Sequence, residues 1–338
     1  MLAIMGSRCR CSTMSLTDGM RWASINPMHH TSATVSPFVR AKAESFGEPG
    51  LAWLDGLDDL IAEMEQQWSI TVGQPIRGGT SSYVAHARTI DGQGAVLKLA
   101  LPHFWAPHEI QRLDQAAGRG YARLLASDPD RNVMLMEALG PSMSQLGWPP
   151  EQVIKTVCAT LQQAWQVELP ETVPAQTGSS KAQDLAKLIN RAWRGLDQPC
   201  SKEVIETALR YAERRAAAYN EDRCVAVHGD PHSGNAMQVL SPRSGAESGF
   251  VYVDPEAFVA EPAYDLGIVL RDWTEEFLNG PTRSLVRHRC GLLAEHSGLD
   301  GDAIWEWGFL ERVATGLYVL EFGAAWGQEH LDVAERLV

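Results

Sequence analysis

The apolar residues of this 338-residue chain change period part-way along, and that change restricts it to a small sheet followed by a larger set of helices. From Leu51 to Trp68, apolar positions at Leu51, Leu54, Leu57, Leu60, Ile61 and Met64 form one helical stripe. Three short alternating runs follow: Ile70 to Ile76, Tyr83 to Thr89 and Ala95 to Leu101. Turns at Arg77-Gly78-Gly79-Thr80-Ser81-Ser82 and Asp91-Gly92-Gln93-Gly94 separate them, which predicts a three-stranded antiparallel meander. A helix from about Pro107 to Ala117 and strands Tyr121 to Ser127 and Asn132 to Glu137 complete a small α+β lobe. Beyond Gly140-Pro141 the period is helical, over 150–168, 182–193, 202–219, 264–278, 281–296 and 302–328. Only two short strands interrupt it, Cys224 to Val227 and Phe250 to Val253, with Ser241 to Gly249 as a hairpin loop. The expected organisation is an irregular extension over 1–40, an N-lobe over 41–140 and a helical C-lobe over 141–338, with the boundary near 138–148. Met14 and Met20 are further candidate starts.

A chain this long exceeds what one small core fills, and a hydrophobic content of 45% is ample for two lobes. No apolar run approaches the roughly 18 residues of a membrane span, and Met1 to Met5 is too short for a signal-peptide core, so a cytoplasmic location is expected. The cysteines at 9, 11, 158, 200, 224 and 290 are scattered and read as free thiols. A net charge of −13 opposes nucleic acid and anionic membranes and suits a cationic small molecule. Much of the excess lies between Glu261 and Val338, where fourteen acidic residues face six basic ones. Those carboxylates fit solvated helix faces and a cation-binding cleft equally well.

The chemistry concentrates in His228-Gly229-Asp230-Pro231-His232-Ser233-Gly234-Asn235, just behind the first C-lobe strand. A catalytic loop for phosphoryl transfer needs an Asp to take the acceptor hydroxyl proton and an Asn five residues on to hold magnesium. Asp230 and Asn235 have that spacing. A further carboxylate must hold the metal against the ATP phosphates, and Asp254 closes the run Phe250-Val251-Tyr252-Val253 at a sheet edge.

Lys98 lies within Ala95-Val96-Leu97-Lys98-Leu99-Ala100-Leu101 and would lose hydration at several kcal/mol unless an anion meets it. The α- and β-phosphates of ATP and Glu109, early in the next helix, are its expected partners; the alternative is an edge-strand lysine pointing to solvent. Gly78, Gly79, Thr80 and Ser81 occupy the turn ahead of it, where backbone N–H groups and hydroxyls can cover phosphate oxygens. His228, Asp230 and His232, alternating on an extended segment, also suit a zinc site. That reading finds no second cluster of ligands and leaves Lys98 and Asn235 unexplained. His228 is instead expected to pack inside and bond the loop backbone, and His232 to orient loop or substrate. Asp265 opens a helix and reads as a cap, and Glu256 reads either as a metal neighbour or as a surface group.

Taken in order, Ala95-Val96-Leu97-Lys98, the stretches Gly118 to Ala126 and Met134 to Leu139, the motif His228 to Asn235, and Val253-Asp254-Pro255 running to Glu261-Pro262-Ala263-Tyr264-Asp265 resemble the aminoglycoside phosphotransferases. Within them, the chain looks like the aminoglycoside/hydroxyurea antibiotic resistance kinases, over residues 70 to 330. The resemblance implies a protein-kinase-like bilobal α+β fold, with a small antiparallel-sheet N-lobe, a mainly helical C-lobe and ATP between them. It also implies adenine at a hinge from Glu137 to Leu139, Asp265 fixing the catalytic-loop backbone, and the antibiotic in the helical lobe. Two departures are Pro231 after Asp230, where many relatives carry Leu, and Ala257-Phe258, where a Lys- or Gly-containing stretch is common.

The expected reaction is in-line transfer of the ATP γ-phosphoryl to a hydroxyl of a small cationic antibiotic by a monomer. Asp230 acts as base, Asn235 and Asp254 hold Mg²⁺, and Lys98 braced by Glu109 fixes the phosphates. Candidates for the acceptor site are His232 and, on the acidic helices, Asp272, Glu275, Glu306, Glu311 and Glu321. A small-metabolite kinase, or an ATP-binding regulatory protein without transferase activity, are the competing readings.

Overall fold

Lys98 sits at the centre of a five-stranded antiparallel sheet, in the order β1-β2-β3-β5-β4. The strands are β1 (Ile70–Pro75), β2 (Ser82–Thr89), β3 (Gly94–Ala100), β4 (Leu124–Asp128) and β5 (Val133–Glu137). Within β3, Lys98 faces Val84 of β2 and Met134 of β5, so it is not on an edge strand and the solvent-pointing alternative is overturned. The computed structural model describes residues 33–76, 81–102, 106–168 and 176–338, and residues 34–338 form one compact unit. Gly78, Gly79 and Thr80, like residues 1–32 with Cys9 and Cys11, lie outside the described residues.

Three helices precede the sheet: α1 (Pro37–Ser45), α2 (Glu48–Asp55) and α3 (Leu57–Trp68). Helix α1 starts inside the stretch expected to be irregular up to residue 40, because Ser36 accepts the Val39 N–H at its N-cap and Pro37 fits the first turn. The single stripe expected from Leu51 to Trp68 breaks at Gly56. Leu57, Ile61 and Met64 are buried on α3, whereas Leu51 is exposed. Helix α4 (Ala106–Ala116) connects β3 to β4 and buries Ile110 and Leu113.

The chain leaves the sheet at Glu137 and becomes helical from Pro150, through α5 (Pro150–Ala164), α6 (Gly178–Gly195) and α7 (Lys202–Ala217). Two antiparallel strand pairs then form beneath the sheet. Strand β6 (Val225–Val227) pairs with β9 (Phe258–Ala260), and β7 (Ala236–Gln238) pairs with β8 (Phe250–Tyr252), the latter as the hairpin expected around 241–249. Because Val227 lies opposite Phe258 and Ala236 opposite Tyr252, the loop after β6 and the loop after β8 must run side by side. Helices α8 (Ala263–Val269), α9 (Thr274–Asn279), α10 (Thr282–Ser297), α11 (Gly301–Glu321) and α12 (Gly327–Glu335) complete the chain.

Two long helices expected from periodicity are each broken. The stretch 264–278 turns between α8 and α9, where Trp273 takes a left-handed φ of 63° and the buried Arg312 guanidinium caps the Leu270 carbonyl. The stretch 302–328 turns after α11 at Gly323, where φ is 74°. Apolar residues run on through both breaks, Trp273 at the first and Phe322 and Trp326 at the second, so periodicity does not show them although the turns are half-buried or exposed. Cys158, Cys200, Cys224 and Cys290 are free thiols. Among the described residues no helix is long and apolar enough to cross a membrane.

Candidate active site

The site assembles where the loops after β6 and β8 meet the face of β3. Lys98 is 6% exposed, and its Nζ donates to Glu109 Oε1 at 2.6 Å, to Glu109 Oε2 at 2.8 Å and to Asp254 Oδ1 at 2.8 Å. Burial works against the ammonium charge, but Asp254 and Glu109 outweigh it and raise the Lys98 pKa above the ordinary lysine value. One cation thus serves two carboxylates. Glu109, buried and within reach of the Asp254 charge, is pushed up to about 7 although Lys98 opposes the shift. Asp254 keeps 45% of its side chain exposed, and Lys98 overcomes the surrounding burial to hold its carboxyl below the usual range. Glu109 is itself fixed through α4: the neighbouring Arg112 is buried and donates to the Ala164 carbonyl at 3.2 Å and the Ala226 carbonyl at 2.9 Å, pinning α4 to α5 and β6.

The loop from His228 to Asn235 is held by side chains from three directions. Asp265, fully buried on α8, accepts the N–H of His228 and of Gly229 at 2.9 Å each and the Trp165 indole N–H at 2.8 Å. It does not cap its own helix, whose first turn has no side-chain cap, so the plain-cap reading is corrected. Burial pushes its pKa up to about 6 against these three donors. His228 donates from Nε2 to the Val253 carbonyl at 2.9 Å and accepts the Asp230 N–H on Nδ1 at 3.0 Å. Both ring nitrogens are therefore used by backbone, and burial lowers its pKa to about 4. That leaves His228 unsuited to zinc, and among the described residues no three His, Cys, Asp or Glu side chains gather where a metal ion fits. Gly229 has φ 94°, and a Cβ there would lie 2.6 Å from the Glu256 Cβ. The two loops touch where only glycine fits.

Asp230 projects from this loop, half-buried, and its Oδ1 accepts from the Arg271 guanidinium. Arg271 outweighs burial and keeps the Asp230 carboxyl below the usual carboxylate range. His232 Nε2 lies 3.7 Å from Asp230 Oδ2, while its Nδ1 accepts the Gly234 N–H at 3.1 Å. The Asn235 amide donates to the Asp230 carbonyl at 2.9 Å, which leaves its side-chain oxygen open. Asp254, opposite, has φ 61°. A non-glycine residue in that region costs about 1–2 kcal/mol, and such strain concentrates at functional sites. An amide oxygen and a half-exposed carboxylate are hard oxygen donors, so Asn235 and Asp254 fit magnesium rather than a softer metal.

Of the carboxylates offered for an acceptor, the structure brings Glu311 to the site and leaves others elsewhere. Glu311 accepts from the Tyr264 hydroxyl and lies 3.8 Å from Arg271 Nη1. Glu306 instead pairs with Arg214 and Arg215 of α7 at 2.7 Å each. Asp272 accepts the Ser233 N–H at 3.0 Å and so holds the loop, Glu321 pairs with Arg191 at 2.8 Å, and Glu275 is exposed on the first turn of α9. Helical periodicity ranks all of these as surface groups and carries no sign of which ones face inward. Glu256, left open above, pairs with Lys181 of α6 at 2.8 Å. Arg271, Lys181 and Arg112 are the residues that sequence reasoning missed, since each works across elements far apart in the chain. Glu137 accepts the Arg123 N–H at 2.8 Å and pairs with Arg243 at 2.6 Å, and Leu139 packs on the main core. Ser81, the described end of the glycine turn, accepts from Lys42 at 2.7 Å.

Residues 67–323 match the family model for aminoglycoside/hydroxyurea antibiotic resistance kinase. The chain is 28% identical to a streptomycin 6-kinase of Streptomyces glaucescens over 294 residues, covering 86% of this chain and 91% of that protein. It is also 28% identical to a hydroxyurea phosphotransferase of Kitasatospora aureofaciens over 296 residues, 86% of this chain and 82% of the relative. In three dimensions it resembles the aminoglycoside phosphotransferase APH(3'')-Id of Streptomyces rimosus, solved with ADP and streptomycin. The TM-score is 0.51 at 14% identity, covering 77% of this chain and 98% of that one. The fold is protein-kinase-like, a small antiparallel-sheet lobe on a larger helical one. By the extent of the family match, the chain belongs to the aminoglycoside/hydroxyurea antibiotic resistance kinases.

Proposed function

We propose that this kinase transfers the γ-phosphoryl of ATP to a hydroxyl of a small antibiotic, with Asp230 accepting the hydroxyl proton. The observation that carries this reading is the meeting of Lys98 with both Glu109 and Asp254, one loop away from Asp230. In the reaction Lys98 holds the α- and β-phosphates and Glu109 keeps it aimed, while Asn235 and Asp254 would hold Mg²⁺, which when bound would supply charge neutralisation at the phosphates. Asp265 and His228 keep the Asp230 backbone in place, and the 138–148 boundary between an N-lobe over 41–140 and a C-lobe over 141–338 serves as the hinge, with adenine against Glu137 to Leu139. Gly78, Gly79, Thr80 and Ser81 cover the phosphates. Because the transition state is loose, an ionised, well-aimed Asp230 matters more than a strong base, and the Arg271 contact suits that.

The acceptor belongs to the range spanned by the relatives, a streptomycin-like aminoglycoside or hydroxyurea. The enzyme works as a cytoplasmic monomer without nucleic-acid or membrane partners. ADP release from Mg·ATP in the presence of hydroxyurea, streptomycin, other aminoglycosides and amino alcohols tests the assignment. Saturable release with hydroxyurea or an aminoglycoside, lost in Asp230→Ala by roughly 10²-fold to 10⁴-fold, is expected. Saturation by an amino alcohol alone would make it a metabolite kinase, and nucleotide binding without any phosphorylated product would make it a silent ATP-binding protein.

A further inference from the structure

Helix α1 carries a lysine to the edge of the nucleotide cleft. On one side its Val39 and Ala43 are buried with Leu101, the residue after β3, and Gly50 of α2 backs so closely on the Ala43 carbonyl that no side chain fits between. On the other side Phe38 packs on Phe322 at the end of α11, with ring centroids 5.6 Å apart. The helix therefore touches both the sheet and the helical part of the molecule. From this fixed position Lys42 donates to the Ser81 hydroxyl at 2.7 Å.

The charge inventory around the cleft singles this lysine out. Lys98 has Glu109 and Asp254, Lys181 has Glu256, and Arg271 has Asp230 and Glu311. Lys42 is half-buried with a neutral hydroxyl for a partner, and no ion pair is formed by it among the described residues. Burial lowers its pKa, and the one carboxylate whose charge reaches it, Glu256, is already bonded to Lys181. A desolvated ammonium without a counter-ion is costly, and an incoming anion removes that cost. The anion it is placed for is phosphate. Ser81 leads into β2, the strand paired with β3 and Lys98, and its carbonyl accepts the Leu101 N–H at 2.9 Å, while Phe38 of the same helix as Lys42 packs at the end of α11, so Lys42 stands where the sheet and the helical part approach each other.

We propose that Lys42 is a further nucleotide-binding residue, reaching from the N-terminal helix to the terminal phosphate of ATP. Helix α1 then belongs to the catalytic apparatus although the family match begins only at residue 67. This rests on the reading of the cleft as an ATP site. The positive charge acts in cis on the transferred group, in the sense that an arginine finger does in other phosphoryl-transfer enzymes.

The test is the affinity of the full chain for Mg·ADP and for Mg²⁺ with a β,γ-imido analogue of ATP, measured by calorimetry for wild type, Lys42→Ala and Lys42→Arg. Lys42→Ala should weaken the triphosphate analogue about tenfold, the size of one lost charge-assisted hydrogen bond. It should leave ADP affinity unchanged, and Lys42→Arg should retain most of the triphosphate binding. Equal weakening of both nucleotides, as a merely structural or acceptor-side lysine would give, or no weakening at all, overturns the proposal. Should Lys42→Ala fail to fold, Phe38→Ala, which loosens the helix and leaves the charge, must produce the same triphosphate-selective loss, and its absence overturns the proposal too. A wild-type protein that binds neither nucleotide sinks the ATP reading itself, an outcome visible before any variant is compared.

Discussion

Arg271 donates from its guanidinium to the carboxylate of Asp230, 41 residues earlier in the chain, and from its other terminal nitrogen to the Thr315 hydroxyl at 2.7 Å. The proposed base is thus clamped, through the turn after α8, to α11 before any substrate arrives. An unclamped carboxylate samples other rotamers, and misplacement by about an ångström costs up to roughly 10²-fold in rate. Arg271→Ala is expected to lower kcat by about 10-fold to 100-fold with KM for ATP unchanged, and added guanidinium to restore part of the rate. Arg271→Lys should recover little, since an ammonium cannot span Asp230, Thr315 and Glu311 together. Steady-state ADP release decides it, and a matching rise in ATP KM would contradict the assignment.

Glu306 and Glu311 lie on the same helix, yet they should behave oppositely on substitution. Glu306→Gln removes the charge that pairs with Arg214 and Arg215 and leaves the half-buried Arg215 only Glu261 at 3.4 Å, an expected cost of about 1–3 kcal/mol in unfolding free energy, with acceptor KM intact. Glu311→Gln loosens Arg271 and Tyr264 beside Asp230, so its effect should appear in kcat or acceptor KM. Urea unfolding together with kinetics of both variants separates the two roles.

Gly229 allows the loop that carries Asp230 to cross the Asp254 loop at φ 94°. Gly229→Ala combines a left-handed backbone penalty of about 1–2 kcal/mol with a Cβ 2.6 Å from that of Glu256. The expected result is a lower melting temperature and a kcat loss beyond that of an equally destabilising core substitution such as Leu293→Ala, measured side by side.

His228 should stay neutral, with the proton on Nε2, throughout the range from pH 8 to pH 5. Burial lowers its pKa to about 4 from an unfolded value near 6.5, so the unfolded chain binds the extra proton between those limits. Its contribution is therefore fully present above about pH 6.5 and is lost as pH falls towards 4. Ring carbon and nitrogen chemical shifts by NMR report the protonation directly, and a midpoint near 6.5 in the native protein would refute the buried, doubly bonded imidazole.

The order of the elements was legible in the sequence because periodicity and turn residues act over a few neighbours. The meander of β1, β2 and β3, the helical character after residue 140 and the hairpin around 241–249 follow from apolar spacing and glycine placement alone. The spacing of Asp230 and Asn235 on one loop, and the cost of a lysine in so apolar a strand, likewise pointed to the neighbourhood of Lys98, Glu109 and Asp254 before any coordinates. The breaks at Trp273 and Gly323 were hidden, since apolar residues such as Trp273, Phe322 and Trp326 run on through turns that are half-buried or exposed in the fold.

What only the tertiary structure decided is which charges meet. Glu306 pairs with α7 rather than a ligand, Glu256 meets Lys181, and Arg271 reaches Asp230. None of these has a sequence signature, because an ion pair depends on where two side chains lie within a few ångströms, and that is set by how helices turn and pack rather than by the order of residues within either one.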